Sequence, residues 1–126
     1  MQGLHLTADL FKCCCPVDLL TDRGALQAAC IRHVRLAGLT VAGDDFHQFS
    51  DVAGAASGVT GLVLLAESHL AVHTWPELNA VTLDVYVCNF REDNTVKAHA
   101  LTATACSAAH PVHLIHRIAS IWRSSG

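Results

Sequence analysis

The sequence predicts an α+β fold, a two-layer sandwich in which a mainly antiparallel sheet carries helices on one face. Residues 18–37 place apolar side chains three or four positions apart, which is typical of an amphipathic helix. Residues 81–88 alternate strictly between apolar and polar side chains, as a half-buried strand does. Strand-like segments follow one another between these two regions, so a sheet of several strands is expected.

The first half of the chain is predicted to form a strand, a helix and a strand. Residues 4–11 alternate, and the cysteine run with Pro16 ends that strand. The helix over 18–37 ends at Gly38, because glycine commonly follows the last helical residue. Residues 40–49 are expected to form the second strand, and the small and polar residues 50–58 a loop.

The second half continues with three strands, a helix and a last strand, giving the order β-α-β-β-β-β-α-β. The predicted elements are a buried apolar strand over 59–65, a strand over 69–75 that ends at Pro76, the alternating strand over 81–88, a helix capped by Asn94 or Asp93 that runs to about Ser107, and a strand over 111–118. If helices cover the face of Val81, Leu83, Val85 and Val87, then Asp84 and Cys88 face the other side.

Composition limits the class of protein. The 126 residues suit a single domain over 1–126, and 52% hydrophobic with 15% charged residues indicates a buried globular core. A net charge of -3 with scattered basic residues argues against nucleic acid. There is no apolar run of membrane-spanning length and no signal peptide, so we expect no membrane association and a cytoplasmic location. Six cysteines, three of them adjacent, fit reduced thiols better than a disulfide framework.

The segment from residue 67 to residue 77 concentrates reactive side chains directly after a buried strand. His69, His73 and Trp75 lie on one strand face, because even separations point the same way. Cys88 lies on the following strand and is reachable from that face if the two strands pair about a turn near Asn79. We therefore expect a serine, a histidine and a cysteine to converge.

These residues carry a specific resemblance. Glu-Ser-His at 67–69, His-Thr-Trp-Pro-Glu at 73–77 and the strand ending at Cys88 closely resemble the signature of the prokaryotic S-adenosylmethionine decarboxylases. Residues 3–6, 46–49 and 58–61 extend the similarity, in order, over nearly the whole chain.

The resemblance implies a proenzyme that cleaves itself between Glu67 and Ser68, giving a β chain of residues 1–67 and an α chain of residues 68–126. The serine hydroxyl attacks the preceding carbonyl, and elimination then leaves a pyruvoyl group at position 68. His73 matches the residue that assists elimination. Thr60 stands where the family usually has a serine that helps the acyl shift.

The resemblance further implies that the pyruvoyl group forms a Schiff base with the α-amine of an amino-acid-type substrate, with no metal and no pyridoxal phosphate. Cys88 matches the proton donor. Phe49 and Trp75 offer aromatic faces to adenine or the sulfonium, and Glu77 accepts hydrogen bonds from the ribose. The family resemblance also implies a homodimer with each site near the subunit interface, acting in spermidine biosynthesis.

S-adenosylmethionine is the expected substrate, but three departures from the family pattern leave an alternative open. Residues 78–81 and Asn89 differ from the family pattern, and Thr60 replaces the usual serine. Some members of the family act on L-ornithine or L-arginine, making putrescine or agmatine. In that case Glu77 or Asp84 would pair with the distal amine or guanidinium.

Other classes explain less of the sequence. A metal site built from His69, His73 and Cys88, or from the run at 13–15, lacks the paired spacing of structural zinc ligands. A hydrolase with Cys88 as nucleophile and His73 as base leaves the residues at 67–69 unexplained. A non-catalytic interaction module remains the alternative that absence of self-cleavage would favour.

Overall fold

The computed structural model describes residues 2–89 and 92–123. The elements are β1 (Gln2–Cys13), α1 (Val17–Thr21), α2 (Arg23–Leu36), β2 (Val41–Ser50), β3 (Ala56–Leu65), β4 (Ser68–Trp75), a 3₁₀ helix (Pro76–Leu78), β5 (Ala80–Cys88), α3 (Thr95–Ala109) and β6 (Pro111–Arg123). The strands form one sheet in the order β2-β3-β4-β5-β1-β6, and each neighbouring pair is antiparallel. The prediction of an α+β fold with a mainly antiparallel sheet is confirmed.

One face of the sheet packs against the helices. Val81 and Leu83 of β5 line a small cavity together with Leu26 of α2 and Ala105 of α3. We call the opposite side of the sheet the open face; it carries Thr82, Asp84, Tyr86 and Cys88, all only partly buried. The alternation of residues 81–88 therefore predicted correctly which side chains face away from the helices.

The core lies between the helices and the sheet. Its fully buried side chains include Leu6, Leu10, Leu70, Val34 and Leu101, contributed by two strands and two helices. Burial of each such leucine or valine stabilises the fold by about 1.5–3 kcal/mol. The packing fixes which strand face meets the helices, and so fixes the orientation of the polar residues opposite.

The prediction of a single helix over 18–37 is wrong, because Asp22 separates two helices, α1 and α2. Asp22 has an extended backbone (φ -108°, ψ 113°), and its side chain accepts a hydrogen bond from the Gly24 N–H at 2.9 Å, which caps α2. The expected end of α2 is confirmed: Gly38, with φ +83°, follows the helix in the left-handed region.

Several boundaries also differ from the expectations. The loop expected over 50–58 is shorter, since β2 reaches Ser50 and β3 already begins at Ala56. The last helix extends to Ala109 and the last strand to Arg123. Of the two proposed caps of α3, Asp93 accepts a hydrogen bond from the Thr95 N–H at 2.9 Å, whereas Asn94 makes no capping bond with its side chain.

Two glycines allow close packing around β3. A Cβ atom at Gly61 would lie 2.2 Å from the Phe46 ring, and one at Gly58 would lie 2.4 Å from the Thr74 carbonyl oxygen. The buried Thr74 hydroxyl accepts from the Val59 N–H at 2.9 Å and donates to a carbonyl oxygen of α1 at 2.6 Å. Strands β3 and β4 are thereby held together where they carry Thr60 and His73 on the open face.

Two findings concern the environment of the protein. No helix in residues 2–89 and 92–123 combines the length and the apolar character needed to cross a membrane. All six cysteines are free, as the sequence predicted, and three of them are buried.

Candidate active site

One end of the open face carries a threonine–histidine pair. Antiparallel pairing sets Thr60 of β3 directly opposite His73 of β4. Their Oγ1 and Nδ1 atoms are 3.0 Å apart, within hydrogen-bond distance. The pair can fix the orientation of the imidazole and can pass a proton to or from it.

The same end forms a pocket of about 280 Å³. Its lining includes Phe49, Trp75 and Glu77 together with Thr60 and His73. Phe49 and Trp75 are 48% and 43% exposed, so large aromatic surfaces remain open to a ligand. The three residues predicted to bind substrate are therefore brought together, and they surround the threonine–histidine pair.

The predicted cleavage site lies in the tight turn between β3 and β4. Glu67 has φ +57°, a left-handed conformation that is uncommon for a residue with a side chain. Ser68 begins β4, and its Oγ accepts a hydrogen bond from the Cys88 N–H at 3.2 Å. A strained peptide, a serine hydroxyl and the predicted proton donor thus occupy one end of the hairpin.

The expected convergence of Ser68, His73 and Cys88 within one chain is wrong. Ser68 and His73 are five positions apart on β4, which corresponds to about 16 Å along a strand. The β4–β5 turn lies near Asn79 as predicted, but antiparallel pairing then sets His73 opposite Thr82. Cys88 lies at the other end of β5, beside Ser68. One copy therefore holds two separate half-sites, at opposite ends of strands β4 and β5.

A second polar cluster lies between these ends. The Asp84 carboxylate accepts a hydrogen bond from the His5 Nε2 atom, and the His69 Nε2 atom is 3.6 Å from the same oxygen. The His69 ring stacks on Tyr86 with a centroid distance of 5.7 Å. The sequence indicated His69 and Asp84 but not His5, because the contact joins strands distant in the chain.

The three buried thiols are poorly suited to chemistry. Burial raises the pKa of Cys30 to about 12, and burial together with the neighbouring Cys15 and Cys14 raises the pKa of Cys13. Burial also raises the pKa of Cys106. These groups stay protonated at neutral pH and are weak metal ligands or nucleophiles. In the part of the chain that the structure describes, no three histidine, cysteine or acidic side chains form a group able to hold a metal ion.

Comparisons with known proteins identify the family and agree with the fold. The model of the family described as "S-adenosylmethionine decarboxylase" matches residues 4–117. An S-adenosylmethionine decarboxylase proenzyme of Caldicellulosiruptor saccharolyticus is 36% identical over 91 residues, covering 72% of this chain and 68% of the relative. That of Carboxydothermus hydrogenoformans is 38% identical over 86 residues, covering 68% and 62%. The proenzyme 2 of Halalkalibacterium halodurans is 36% identical over 108 residues, covering 82% and 80%.

A solved structure extends the likeness to three dimensions. The crystal structure of the adenosylmethionine decarboxylase from Aquifex aeolicus VF5 matches with a TM-score of 0.82 and 28% identity, covering 99% of this chain and 96% of that one. The fold and the relatives together define the class of protein, which is a carboxy-lyase made as a proenzyme. The chain belongs to the S-adenosylmethionine decarboxylase family.

Proposed function

We propose that this chain is the proenzyme of a pyruvoyl-dependent S-adenosylmethionine decarboxylase that cleaves itself between Glu67 and Ser68. The observation that carries the proposal is the Ser68 hydroxyl, which follows the left-handed Glu67 and is hydrogen-bonded to Cys88, in a member of this family. The serine and the turn are the parts with which self-cleavage begins, and the cysteine beside them acts later as the proton donor.

The turn favours the first step of cleavage. The Ser68 Oγ attacks the Glu67 carbonyl carbon, the peptide C–N bond breaks, and an ester replaces the amide. A residue held at φ +57° costs about 1–2 kcal/mol relative to an ordinary conformation, and rearrangement of the adjoining bond releases that strain. Elimination then frees the Glu67 carboxylate and leaves dehydroalanine, which takes up water and loses ammonia to give the pyruvoyl group.

The proton transfers are assigned to His73, which does not reach Ser68 within one copy. His73 is about 16 Å away along β4, further than the two side chains can bridge. If two copies pack by their open faces about a two-fold axis that crosses the strands, opposite ends of β4 meet. The Thr60–His73 pair of one copy then serves Ser68 and Cys88 of the other, and each dimer holds two complete sites.

The open face has the character of such an interface. Exposed apolar side chains on it include Phe11, Leu62, Leu64 and Ile115, between 37% and 47% exposed. Two of these side chains lie on β3 and two on β1 and β6, on either side of the polar cluster. Several exposed apolar side chains on one face of a small protein favour association. A homodimer of cleaved protomers buries this surface and explains why so short a chain is so apolar.

The pocket suits a nucleoside better than a simple amino acid. Phe49 and Trp75 present aromatic surface to adenine and to the sulfonium cation, and the Glu77 carboxylate accepts hydrogen bonds from ribose hydroxyls. Ornithine and arginine carry neither a base nor a sugar. Of the two acids expected to pair with their distal group, Asp84 already contacts His5 and His69, and Glu77 lies beside the aromatic side chains of the pocket.

The pyruvoyl group supplies a carbonyl that holds the substrate amine and withdraws electrons as CO2 leaves. Cys88 then returns a proton from its thiol to the substrate carbon. The product is decarboxylated S-adenosylmethionine, the aminopropyl donor for spermidine synthesis. The cytoplasm is the proposed location, since six free cysteines persist as thiols in a reducing compartment.

Release of labelled CO2 tests this function. Purified protein is incubated separately with carboxyl-labelled S-adenosylmethionine, L-ornithine and L-arginine, with Ser68→Ala as the matched control. We expect release from S-adenosylmethionine alone, and none from the variant. Release from ornithine or arginine in preference would overturn the substrate, and equal release by Ser68→Ala would overturn the pyruvoyl mechanism.

A further inference from the structure

Asn94 is a polar side chain buried beside the cleavage site. It is only 9% exposed, and its Nδ2 donates a hydrogen bond to the Cys88 carbonyl oxygen at 3.1 Å. Its own N–H donates to the Asn89 Oδ1 at 2.8 Å. Asn89 in turn donates from Nδ2 to the Thr95 Oγ1 at 3.1 Å. These bonds connect the end of β5 to the start of α3.

The peptide groups of Cys88 are engaged on both sides. The N–H donates to the Ser68 Oγ at 3.2 Å, and the carbonyl oxygen accepts from Asn94. The position of the Cys88 main chain therefore determines where the serine hydroxyl is held. It also sets the position from which the Cys88 thiol side chain extends.

The orientation of the Asn94 amide follows from its partner. A carbonyl oxygen only accepts hydrogen bonds, so the amide must turn its Nδ2 toward Cys88. The Asn94 Oδ1 atom is then buried without a hydrogen-bond partner among the described residues. An unsatisfied buried acceptor costs about 1–3 kcal/mol, a cost that an apolar side chain would avoid. Asparagine at this position therefore fits a role in positioning better than a role in packing.

We propose that Asn94 and Asn89 are positioning residues, which hold the Cys88 main chain in the geometry needed for self-cleavage and for proton return. This inference rests on the proposed function and adds two residues to it. Asn89 occupies the position where the family pattern usually has glycine. The hydrogen bonds that Asn89 makes are therefore a departure of this chain from that pattern.

Substitutions distinguish a positioning role of these asparagines from a general contribution to the stability of the fold. Asn94→Leu keeps the number and branching of the side-chain heavy atoms and removes the donor. Asn94→Asp keeps the shape and sets an oxygen against the Cys88 carbonyl. Asn89→Gly removes the acceptor from a less buried position and remains informative if an Asn94 variant does not fold. Thr102→Val is the matched control, since it removes one hydroxyl bond, to the Ala98 carbonyl, from a buried site further along α3.

The measurements are the rate of chain cleavage, the free energy of unfolding, and kcat and KM of the cleaved protein. Displacement of a reacting group by about 1 Å costs on the order of 100-fold, so we expect cleavage and kcat to fall about 10- to 100-fold in both Asn94 variants. Asn89→Gly should show a smaller loss. KM should stay within about twofold, because neither asparagine lines the pocket proposed to hold the nucleoside.

If the Asn94 variants match Thr102→Val in cleavage rate and kcat at equal stability, the proposed positioning role is overturned. A parallel rise in KM would also overturn it, since that would assign Asn94 to substrate binding. Failure of the wild-type chain to cleave would instead count against the proposed function, so the two outcomes are distinguishable.

Discussion

Mixing two inactive variants is predicted to restore self-cleavage, because in the proposed dimer each site takes its histidine from the other copy. Ser68→Ala removes the nucleophile and leaves His73 intact. His73→Ala removes the imidazole and leaves Ser68 intact. In a mixed dimer, the Ser68 of one chain meets the His73 of its partner, and one complete site is formed.

The expected magnitude follows from the geometry and from random pairing. Five positions on β4 separate Ser68 from His73 by about 16 Å, so a histidine on the same chain does not contribute. Equal co-expression gives about half mixed dimers if chains associate at random, and about half of the His73→Ala chains should then be cleaved. Each variant expressed alone should remain as a full-length chain over the same period.

The assay is gel or mass analysis of co-expressed chains that carry different affinity tags. The Ser68→Ala/His73→Ala double variant, co-expressed with the wild-type chain, provides the control: wild-type chains paired with it should fail to cleave. Full cleavage of wild-type chains in that mixture, together with no rescue between the single variants, would refute the two-copy site.

Three further predictions concern single residues. Thr60→Val loses the contact with His73 and should slow cleavage about 5- to 10-fold, the kinetic equivalent of about 1 kcal/mol, whereas Thr60→Ser should cleave at least as fast as the wild type; both rates are read from loss of the full-length chain. Gly61→Ala sets a Cβ 2.2 Å from the Phe46 ring and should lower the free energy of unfolding by about 1–3 kcal/mol in urea, with no loss if the ring repacks freely. Burial, and secondarily Arg32, lower the pKa of His33, so the unfolded state binds the proton more tightly than the folded state. The free energy of unfolding should therefore fall as the pH drops from about 6.5 toward the lower pKa of the folded state. His33→Leu should flatten this dependence in unfolding curves measured at several pH values.

The faces of the sheet could be predicted from the sequence, but distances along the strands could not. Strict alternation in residues 81–88 identified the side on which Asp84 and Cys88 lie. The same alternation does not indicate how far along the hairpin each residue lies from the turn. Antiparallel pairing about Asn79 keeps His73 near the turn and sends Cys88 to the far end, so a shared face did not mean a shared site.

Local side-chain bonds account for the other differences. Apolar spacing continues through Leu19, Leu20 and Leu26, so the sequence did not reveal the break that Asp22 makes between α1 and α2. Asn94 looked like a helix cap, since asparagine is a common capping residue. Its hydrogen bond to Cys88 depends on the return of the chain after β5, which no local pattern records.

Intact-mass analysis of the purified protein tests self-cleavage most directly. The account predicts two chains, residues 1–67 and 68–126, with the second lighter by one ammonia than a fragment beginning with serine. That difference separates pyruvoyl formation from ordinary proteolysis, and Ser68→Ala should give one chain of 13.4 kDa. A wild-type chain that stays whole yet releases CO2 from S-adenosylmethionine would contradict the account.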